Sequence, residues 1–280
     1  MDLIHFLLNL AGLLLWLTWR SLAFARLTRP SALALSSVVH KAETPWAHRW
    51  FYLAGLVGLL LLRSVFYWQI GPAADWTPKL ELGAIVLSFR SDLLGRAMLY
   101  SVVSFGLTVG VFYLWLLLLS LANRAIPDTD PMQRLVRLHL GRFERWPAAL
   151  KLVCPWLLGA LLWSASSTWL VRLGVLPPPK SSYHLLQQAA LVGLAPYLAW
   201  KFLIVGLLFF HLLNTYLYLG NVPFWTFVST TARNLLLPLR FLPLQVSKVD
   251  FAPVVGIALI LLLAESGAHG LTLLYQRLPL

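Results

Sequence analysis

Residues 234–264 read NLLLPLRFLPLQVSKVDFAPVVGIALILLLA, and this stretch decides which kind of fold the chain adopts. Its first half is interrupted by Pro238 and Pro243, which cannot continue a helix because each lacks a backbone N–H. Its second half starts at Asp250 and leads into an apolar run of the kind that spans a membrane, which takes about 20 residues. We therefore expect a surface elbow followed by a membrane span.

The composition extends this interpretation to the whole protein. Hydrophobic residues make up 59% of the 280 residues, charged residues make up 11%, and the mean hydropathy is +0.76. Soluble domains contain roughly 25% charged residues, so we predict an all-α, polytopic transmembrane helical bundle. The six expected spans cover residues 3–19, 50–70, 97–121, 148–171, 196–219 and 251–274. The apolar stretch 82–89 is too short to span and is predicted to be interfacial or re-entrant.

The basic residues are unevenly distributed among the loops. Segments 20–49, 122–151 and 220–250 hold fourteen of the 22 Lys and Arg residues. Loops rich in Lys and Arg face the cytoplasm, so we predict that these segments are cytoplasmic and that both termini lie outside. The formal net charge of +12 then indicates contact with the anionic headgroups of a lipid bilayer, and not with nucleic acid.

Two cations fall inside predicted spans. A charge at the bilayer centre costs at least ~2.5–3.5 kcal/mol, so it commonly marks a functional site. Lys201 lies close to the start of its span, and we expect its ammonium group to snorkel to the interface. Arg63 is deeper, and two interpretations stay open: a packing or headgroup contact, and a functional charge.

An internal repeat relates two parts of the chain at an offset of 98 residues, which aligns Arg142 with Arg240 and Pro155 with Pro253. Each copy contains a span, an amphipathic cytoplasmic segment and a second span, so both copies insert in the same orientation. We therefore predict a parallel repeat. The expected boundaries are 1–95 for an N-terminal extension with two spans, 96–180 for the first copy and 181–280 for the second.

Both connecting segments are predicted to lie at the cytoplasmic membrane surface. The first starts with DPMQ at 130–133, where Asp130 is the expected N-cap and Gln133 the residue that reaches back in a capping box. The arginines that follow are expected at headgroup level. In the second segment Phe227 is expected to enter the interface, whereas Thr231 is expected to stay in water.

Asp250 is the acid best placed for a local role. Its carboxylate can accept hydrogen bonds from the first turn of the last span, where the missing N–H of Pro253 costs nothing. We favour a structural cap, clasped by Arg240, and the alternative is a role in handling protons or ions. The first copy has Leu152 at the matching position, so the two copies are not chemically equivalent.

A family resemblance is carried by LPLRFLP at 237–243 and VDFAPVV at 249–255, which together resemble the signature of the YggT family of small bacterial membrane proteins. The resemblance covers about residues 97–275, and Ser247-Lys248 stands where the family usually has a glycine pair. It implies a non-enzymatic protein of the bacterial cytoplasmic (inner) membrane that organises the membrane or assembles complexes of other membrane proteins. The structural motif residues it implies are Arg142, Pro155, Arg240, Pro243, Asp250 and Pro253.

The sequence indicates no catalytic, cofactor-binding or metal-binding residues. The single cysteine, Cys154, excludes an intrachain disulfide and a thiolate cluster. His211 is the histidine well inside a span, and we expect a hydrogen-bonded core residue there and not a haem ligand. The alternative function is a channel or transporter linked to osmotic or ion stress, and an intramembrane enzyme is a weaker possibility. The polar side chains that a transport path would use are Arg63, Ser101, Ser104, Ser164, Ser166, Asn214 and Asp250.

Overall fold

Helices dominate the computed structural model, as expected for an all-α membrane bundle. The structure describes residues 2–24, 46–73, 76–83, 85–89, 92–124, 130–217, 222–239, 241, 244–246 and 249–277. Within these ranges six helical segments are long and apolar enough to cross a membrane, so the predicted number of spans is confirmed. They are Leu3–Leu22, Arg49–Ala73, Leu94–Ala122, Ala148–Arg172, Ser182–Tyr216 and Ala252–Arg277.

The elements follow each other as long spans separated by short helices and hairpins. In chain order they are α1 (Asp2–Phe24), α2 (Trp46–Ala73), β1 (Lys79–Glu81), β2 (Val86–Ser88), α3 (Leu94–Ala122), α4 (Pro131–Leu140), α5 (Ala148–Arg172), α6 (Ser182–Leu194), α7 (Trp200–Tyr216), α8 (Pro223–Leu235), β3 (Gln245–Val246), β4 (Val249–Asp250) and α9 (Ala252–Arg277). Short 3₁₀ turns occupy Gly141–Arg145, Ala195–Ala199 and Leu237–Leu239.

The chain forms two compact units. Unit 1 comprises residues 1–80 and 88–109, and it contains α1, α2 and the first part of α3. Unit 2 comprises residues 81–87 and 110–280. This division passes through α3, whereas the predicted boundaries at residues 95 and 180 follow the sequence repeat and stay a prediction.

The fifth span begins earlier than predicted. It starts with α6 at Ser182, where the Ser181 hydroxyl caps the helix by accepting a hydrogen bond from the His184 N–H at 3.1 Å. Pro196 lies in the 3₁₀ turn between α6 and α7, and α7 completes the span. The sequence predicted a start at residue 196, because an apolar run of about the length needed for a span begins there.

The stretch 82–89 belongs to a β-hairpin. β1 pairs with β2, and the Leu82 N–H donates to the Ile85 carbonyl at 2.8 Å across the turn. Gly83 occupies this turn with a φ of 70°, a conformation that favours glycine. The structure shows that this stretch is part of a hairpin. Its expected interfacial or re-entrant position stays a prediction.

α4 begins where the sequence places it. Asp130 Oδ1 accepts hydrogen bonds from the N–H groups of Met132 and Gln133 at 2.8 and 3.1 Å, so the predicted N-cap is confirmed. The capping-box role of Gln133 is wrong, because its side chain is fully buried and neither amide atom has a partner among the described residues. Gly141 ends the helix with a φ of 57°, which an L side chain rarely adopts.

α4 and α8 pack against each other within unit 2. Val136 and Phe227 join apolar side chains of α3 in one buried cluster. Thr231, which we expected in water, is also fully buried, and its hydroxyl oxygen accepts a hydrogen bond from Asn123 Nδ2 at 2.8 Å. That expectation was wrong because this face of α8 meets the end of α3 instead of solvent.

α5 and α6 approach each other closely at two glycines. A Cβ atom added to Gly193 would lie 2.6 Å from the Trp156 carbonyl oxygen, and one added to Gly159 would lie 3.1 Å from the Gly193 Cα. The Trp156 Nε1–H also donates to the Ala190 carbonyl across this contact, at 2.9 Å. Small residues permit such close approach of backbones in membrane helices.

Candidate functional site

A polar cluster lies inside unit 1, among α1, α2 and α3. At its centre is Arg63, whose side chain is 1% exposed. Arg63 is ten residues from the end of α2, which corresponds to about 15 Å along the helix. The guanidinium therefore does not reach the end of its helix, and it contacts side chains of α1 and α3 instead. The Arg63 cluster comprises His5, Asn9, Arg63, Tyr67, Tyr100, Ser101 and Ser104.

Neutral acceptors on the two neighbouring helices hold the guanidinium. Nη1 donates to Asn9 Oδ1 at 2.6 Å, Nε donates to the Ser101 hydroxyl at 3.1 Å, and Nη2 donates to the Ser101 carbonyl at 2.7 Å. The guanidinium carbon also lies 5.6 Å from the centre of the Tyr67 ring. No carboxylate is among these partners, which are the described contacts of Arg63. The cluster thus stabilises a buried positive charge with hydrogen bonds and one aromatic ring.

Arg63 also fixes the proton on His5. A guanidinium only donates hydrogen bonds, so Asn9 has to turn its Oδ1 toward Arg63. Asn9 Nδ2 then faces His5 Nε2 at 3.0 Å, and this ring nitrogen has to accept. The proton of a neutral His5 is therefore assigned to Nδ1, which lies 2.9 Å from the Tyr67 hydroxyl.

Aromatic rings cover the cluster. The Tyr67 ring lies 4.8 Å from that of Trp76 and 5.7 Å from that of Tyr100, between ring centres. The Phe89 ring lies 5.5 Å from that of Tyr100, and Phe89 is fully buried. Hydrogen bonds are stronger in such a dry environment than in water. The arrangement can clamp three helices together, and it contains no acid beside the cation.

A second buried cation lies in unit 2. Lys151 Nζ donates to the Ser120 hydroxyl at 2.8 Å and lies 3.5 Å from Glu144 Oε2. The same carboxylate accepts a hydrogen bond from Ser120 at 2.5 Å and lies 3.6 Å from Arg137 Nε. The sequence counted Lys151 as a loop cation. α5 begins at Ala148, where the fourth span was predicted to begin, so Lys151 lies in the first turn of α5 and is buried.

The motif residues of the first repeat copy lie at the start of α5 and just before it. Arg142 is exposed in the 3₁₀ turn that follows α4. Pro155 is the eighth residue of α5, so the carbonyl of Lys151 lacks its usual helical donor. Pro253, its counterpart at the same sequence offset, is the second residue of α9, where no helical hydrogen bond is lost. The two prolines therefore have different structural effects.

In the predicted second copy Asp250 lies two residues before Ala252, the first residue of α9. Its Oδ1 accepts a hydrogen bond from the Ala252 N–H at 2.8 Å, and its backbone pairs with Gln245 in the β3–β4 hairpin. Arg240 and Pro243 lie outside the described residues. The clasp between Arg240 and Asp250 therefore stays a prediction.

Asp250→Ala is expected to lower the free energy of unfolding by about 0.5–1 kcal/mol, because the first N–H of α9 loses its acceptor. Asp250→Asn keeps a side-chain oxygen there and is expected to stay within a few tenths of a kcal/mol of the parent. Hydrogen exchange of the first turn of α9 measures both effects. Equal acceleration of exchange in the two variants would contradict the capping role.

Other candidate side chains do not join the Arg63 cluster. Ser164 and Ser166 donate to carbonyls of their own helix at 2.9 and 3.2 Å. Asn214 Nδ2 donates to the Ser229 hydroxyl at 3.2 Å, between α7 and α8. Each of these polar groups therefore has a local partner in unit 2. Within the part of the chain that the structure describes, no three His, Cys, Asp or Glu side chains are grouped as metal ligands.

Two residues of α7 differ in their surroundings. Lys201 is partly exposed, and its Nζ lies 5.1 Å from the centre of the Phe202 ring. Snorkelling of Lys201 stays a prediction. His211 is buried, but its Nδ1 has no hydrogen-bond partner among the described residues. The expected hydrogen bond is therefore missing at this nitrogen.

The six apolar helices identify the general class of protein to which the chain belongs. The protein is an integral membrane protein. Comparison of the chain with protein-family models, curated proteins and solved structures finds no match. The resemblance to the YggT family is therefore carried by the motif residues alone.

Proposed function

We propose that the protein is a non-enzymatic membrane-organising or complex-assembly factor of the YggT type. The observation that supports this proposal most directly is a surface built from both repeat copies. α4 belongs to the first copy, α8 belongs to the second, and the two helices pack together. We call α4, α8 and the 3₁₀ turn Gly141–Arg145 the elbow platform.

The elbow platform exposes cations and apolar side chains together. Its exposed arginines are Arg134, Arg142, Arg145 and Arg233. Phe143 is 48% exposed, and Phe241, the matching residue of the second copy, is 91% exposed just beyond α8. Arginines beside exposed apolar groups are typical of a surface at the headgroups of an anionic leaflet. The proposal places this surface on the cytoplasmic side of the bacterial inner membrane, with both termini outside.

Buried polar bonds fix the platform to the spans. Asn234 Nδ2, in α8, donates to the Ala122 carbonyl at 3.1 Å and to Asn123 Oδ1 at 3.3 Å. Asn123 in turn donates to Thr231 of α8, and both of these side chains are fully buried. A surface that is already ordered binds a partner without a large entropic cost. This rigidity supports a docking role for the platform.

Transport receives less support from the structure. Of the side chains that a polar path would use, Ser101 is bonded to Arg63, and Ser164 and Ser166 are bonded to their own helix. Asp250 is bonded to the start of α9. These polar groups form hydrogen bonds within their own helix or with a neighbouring helix.

The triple variant Arg134→Gln, Arg142→Gln, Arg145→Gln tests the platform. An exposed ion pair contributes about 0.2–1 kcal/mol. Loss of three such contacts with acidic groups of a partner is therefore expected to lower the recovery of partner membrane proteins about 3- to 150-fold relative to the parent. Affinity capture from native membranes, quantified by mass spectrometry, measures this recovery.

A matched control removes the same charge elsewhere. Lys79→Gln, Arg172→Gln, Lys180→Gln changes three exposed cations outside the platform and is expected to leave recovery unchanged. Equal losses in both triple variants, or a parent protein that is captured without any stoichiometric partner, would count against the proposed function.

A further inference from the structure

Glu265 is the only carboxylate within the six described spans. It stands in the middle of α9, thirteen residues after Ala252 and twelve before Arg277. At 1.5 Å per residue each end of the helix is about 18–20 Å away. Because the hydrocarbon core is about 30 Å thick, Glu265 lies close to the bilayer centre, too deep for its short side chain to reach the surface.

The Glu265 side chain is exposed on the outside of the protein. It forms no hydrogen bond or ion pair with another described residue, and the same holds for His269, which is also exposed. Ionisable residues within membrane spans almost always face protein or water and not lipid. α9 also has the smallest buried share among the six described spans. This face of α9 therefore carries groups that lipid does not satisfy.

One line of exposed positions along α9 contains both Glu265 and His269. Its members recur at steps of three or four, which places them on one side of the helix, and further exposed residues such as Leu261 and Leu263 lie on other sides. The α9 stripe comprises Val254, Ala258, Leu262, Glu265, His269 and Leu273. Ala258, a member of the stripe, carries only a methyl group, so another helix can approach the backbone of α9 closely at that level.

The stripe is complementary to itself. Glu265 offers an acceptor, and His269, one turn further along, offers a ring N–H donor. In a dimer with a two-fold axis along the membrane normal, the two α9 helices run parallel, and each patch faces its own copy. Each Glu265 then lies one turn, about 6 Å along the axis, from His269 of the other copy. A single cation from an unrelated protein would satisfy Glu265 and leave His269 exposed.

We propose that the α9 stripe is a homodimer interface within the membrane, in which Glu265 of each copy accepts a hydrogen bond from His269 of the other. Two symmetric bonds satisfy all four exposed polar groups at once. This pairing goes beyond the proposed assembly role and does not depend on it, since the elbow platform lies on other helices.

Cysteine cross-linking in native membranes tests the interface without changing Glu265. In a Cys154→Ser background, Ala258→Cys and Leu262→Cys are expected to give disulfide-linked dimers on oxidation. Leu263→Cys is the matched control, because Leu263 is also exposed (57%, against 66% for Leu262) and points about 100° away from Leu262. Equal cross-linking at all three positions, or none at the stripe positions, would overturn the proposal.

A charge exchange tests the bond itself. Glu265→Leu removes both symmetric bonds and is expected to weaken dimerisation about 9- to 900-fold, since one interhelical hydrogen bond in a membrane contributes about 3- to 30-fold. Glu265→His and His269→Glu are each expected to weaken it, and the double exchange is expected to restore it. Single-molecule photobleaching of labelled protein counts the copies. Failure of the double exchange to restore dimers, or a different protein cross-linked to Leu262→Cys in place of a second copy, contradicts the homodimer.

Discussion

Arg63→Ala is expected to destabilise the packing of unit 1 by about 3–5 kcal/mol. The substitution removes three hydrogen bonds from a charged donor and leaves Asn9 Oδ1 without that donor in a dry interior. Insertion of α2 alone into the membrane is expected to become more favourable, because the substitution removes a charge that costs at least ~2.5–3.5 kcal/mol at the bilayer centre. Easier insertion together with weaker packing is the signature expected of a clamp.

A reactive cysteine placed inside unit 1 measures the packing. Ala97 is 1% exposed in α3, so Ala97→Cys in a Cys154→Ser background is expected to be protected from a membrane-permeant thiol reagent. Arg63→Ala is expected to accelerate the labelling strongly. Arg63→Lys is expected to fall between the two, because lysine keeps the charge and loses the planar fork of donors.

Lys201→Ala is the matched control for removing a cation from a span. Its side chain is partly exposed, and the described contact is one aromatic ring, so labelling of Ala97→Cys is expected to change less than about twofold. If Arg63→Ala labelled no faster than its parent, Arg63 would not hold unit 1 together.

Gly193→Ala is expected to destabilise unit 2 by about 2 kcal/mol or more, although alanine is the better helix former by about 1 kcal/mol. The new methyl group would lie 2.6 Å from the Trp156 carbonyl oxygen and 3.0 Å from the Ala160 nitrogen. Both contacts are backbone atoms and cannot rotate away. α5 and α6 therefore have to separate, which also stretches the hydrogen bond from the Trp156 ring to the Ala190 carbonyl.

At Gly206 a substitution by alanine is expected to have the opposite effect on stability. This glycine lies in the same membrane span, and an added Cβ meets nothing within 4 Å. Gly206→Ala is therefore expected to stabilise the protein slightly or to leave it unchanged. Unfolding by denaturing detergent, followed by tryptophan fluorescence, compares the two variants. Equal shifts of both unfolding midpoints would contradict a tight contact at Gly193.

The spans were predictable because their signal is local. A run of about 20 apolar residues predicts a transmembrane helix by its length and composition alone. The structure has six such helices among the described residues. The start of the fifth span was not predictable, because polar residues of α6 such as Gln188 dilute its hydropathy and Pro196 imitates a helix start. The stretch 82–89 was ambiguous, since a short apolar run suits a strand as well as a helix.

The candidate sites were harder to predict, because they depend on contacts between residues that are far apart in the sequence. The depth of Arg63 was visible in the sequence, but Asn9 and Ser101 are 54 and 38 residues away from it, and no spacing rule connects them. Lys151 was counted among the loop cations although it lies inside the predicted span 148–171, and its burial depends on Ser120, which is 31 residues away. Glu265 gave a signal that sequence reasoning missed, an acid in the middle of an apolar run, although only the structure shows which way it faces.

The Arg63 cluster also has a consequence for the order in which the protein is built. A chain is synthesised from its N-terminus, so Asn9 is present when α2 emerges, whereas Ser101 follows Arg63 by 38 residues. During that interval Arg63 has one of its two helical partners, and two of its three hydrogen bonds cannot form. The smallest part of the N-terminal region that satisfies this charge is therefore the completed group of three helices.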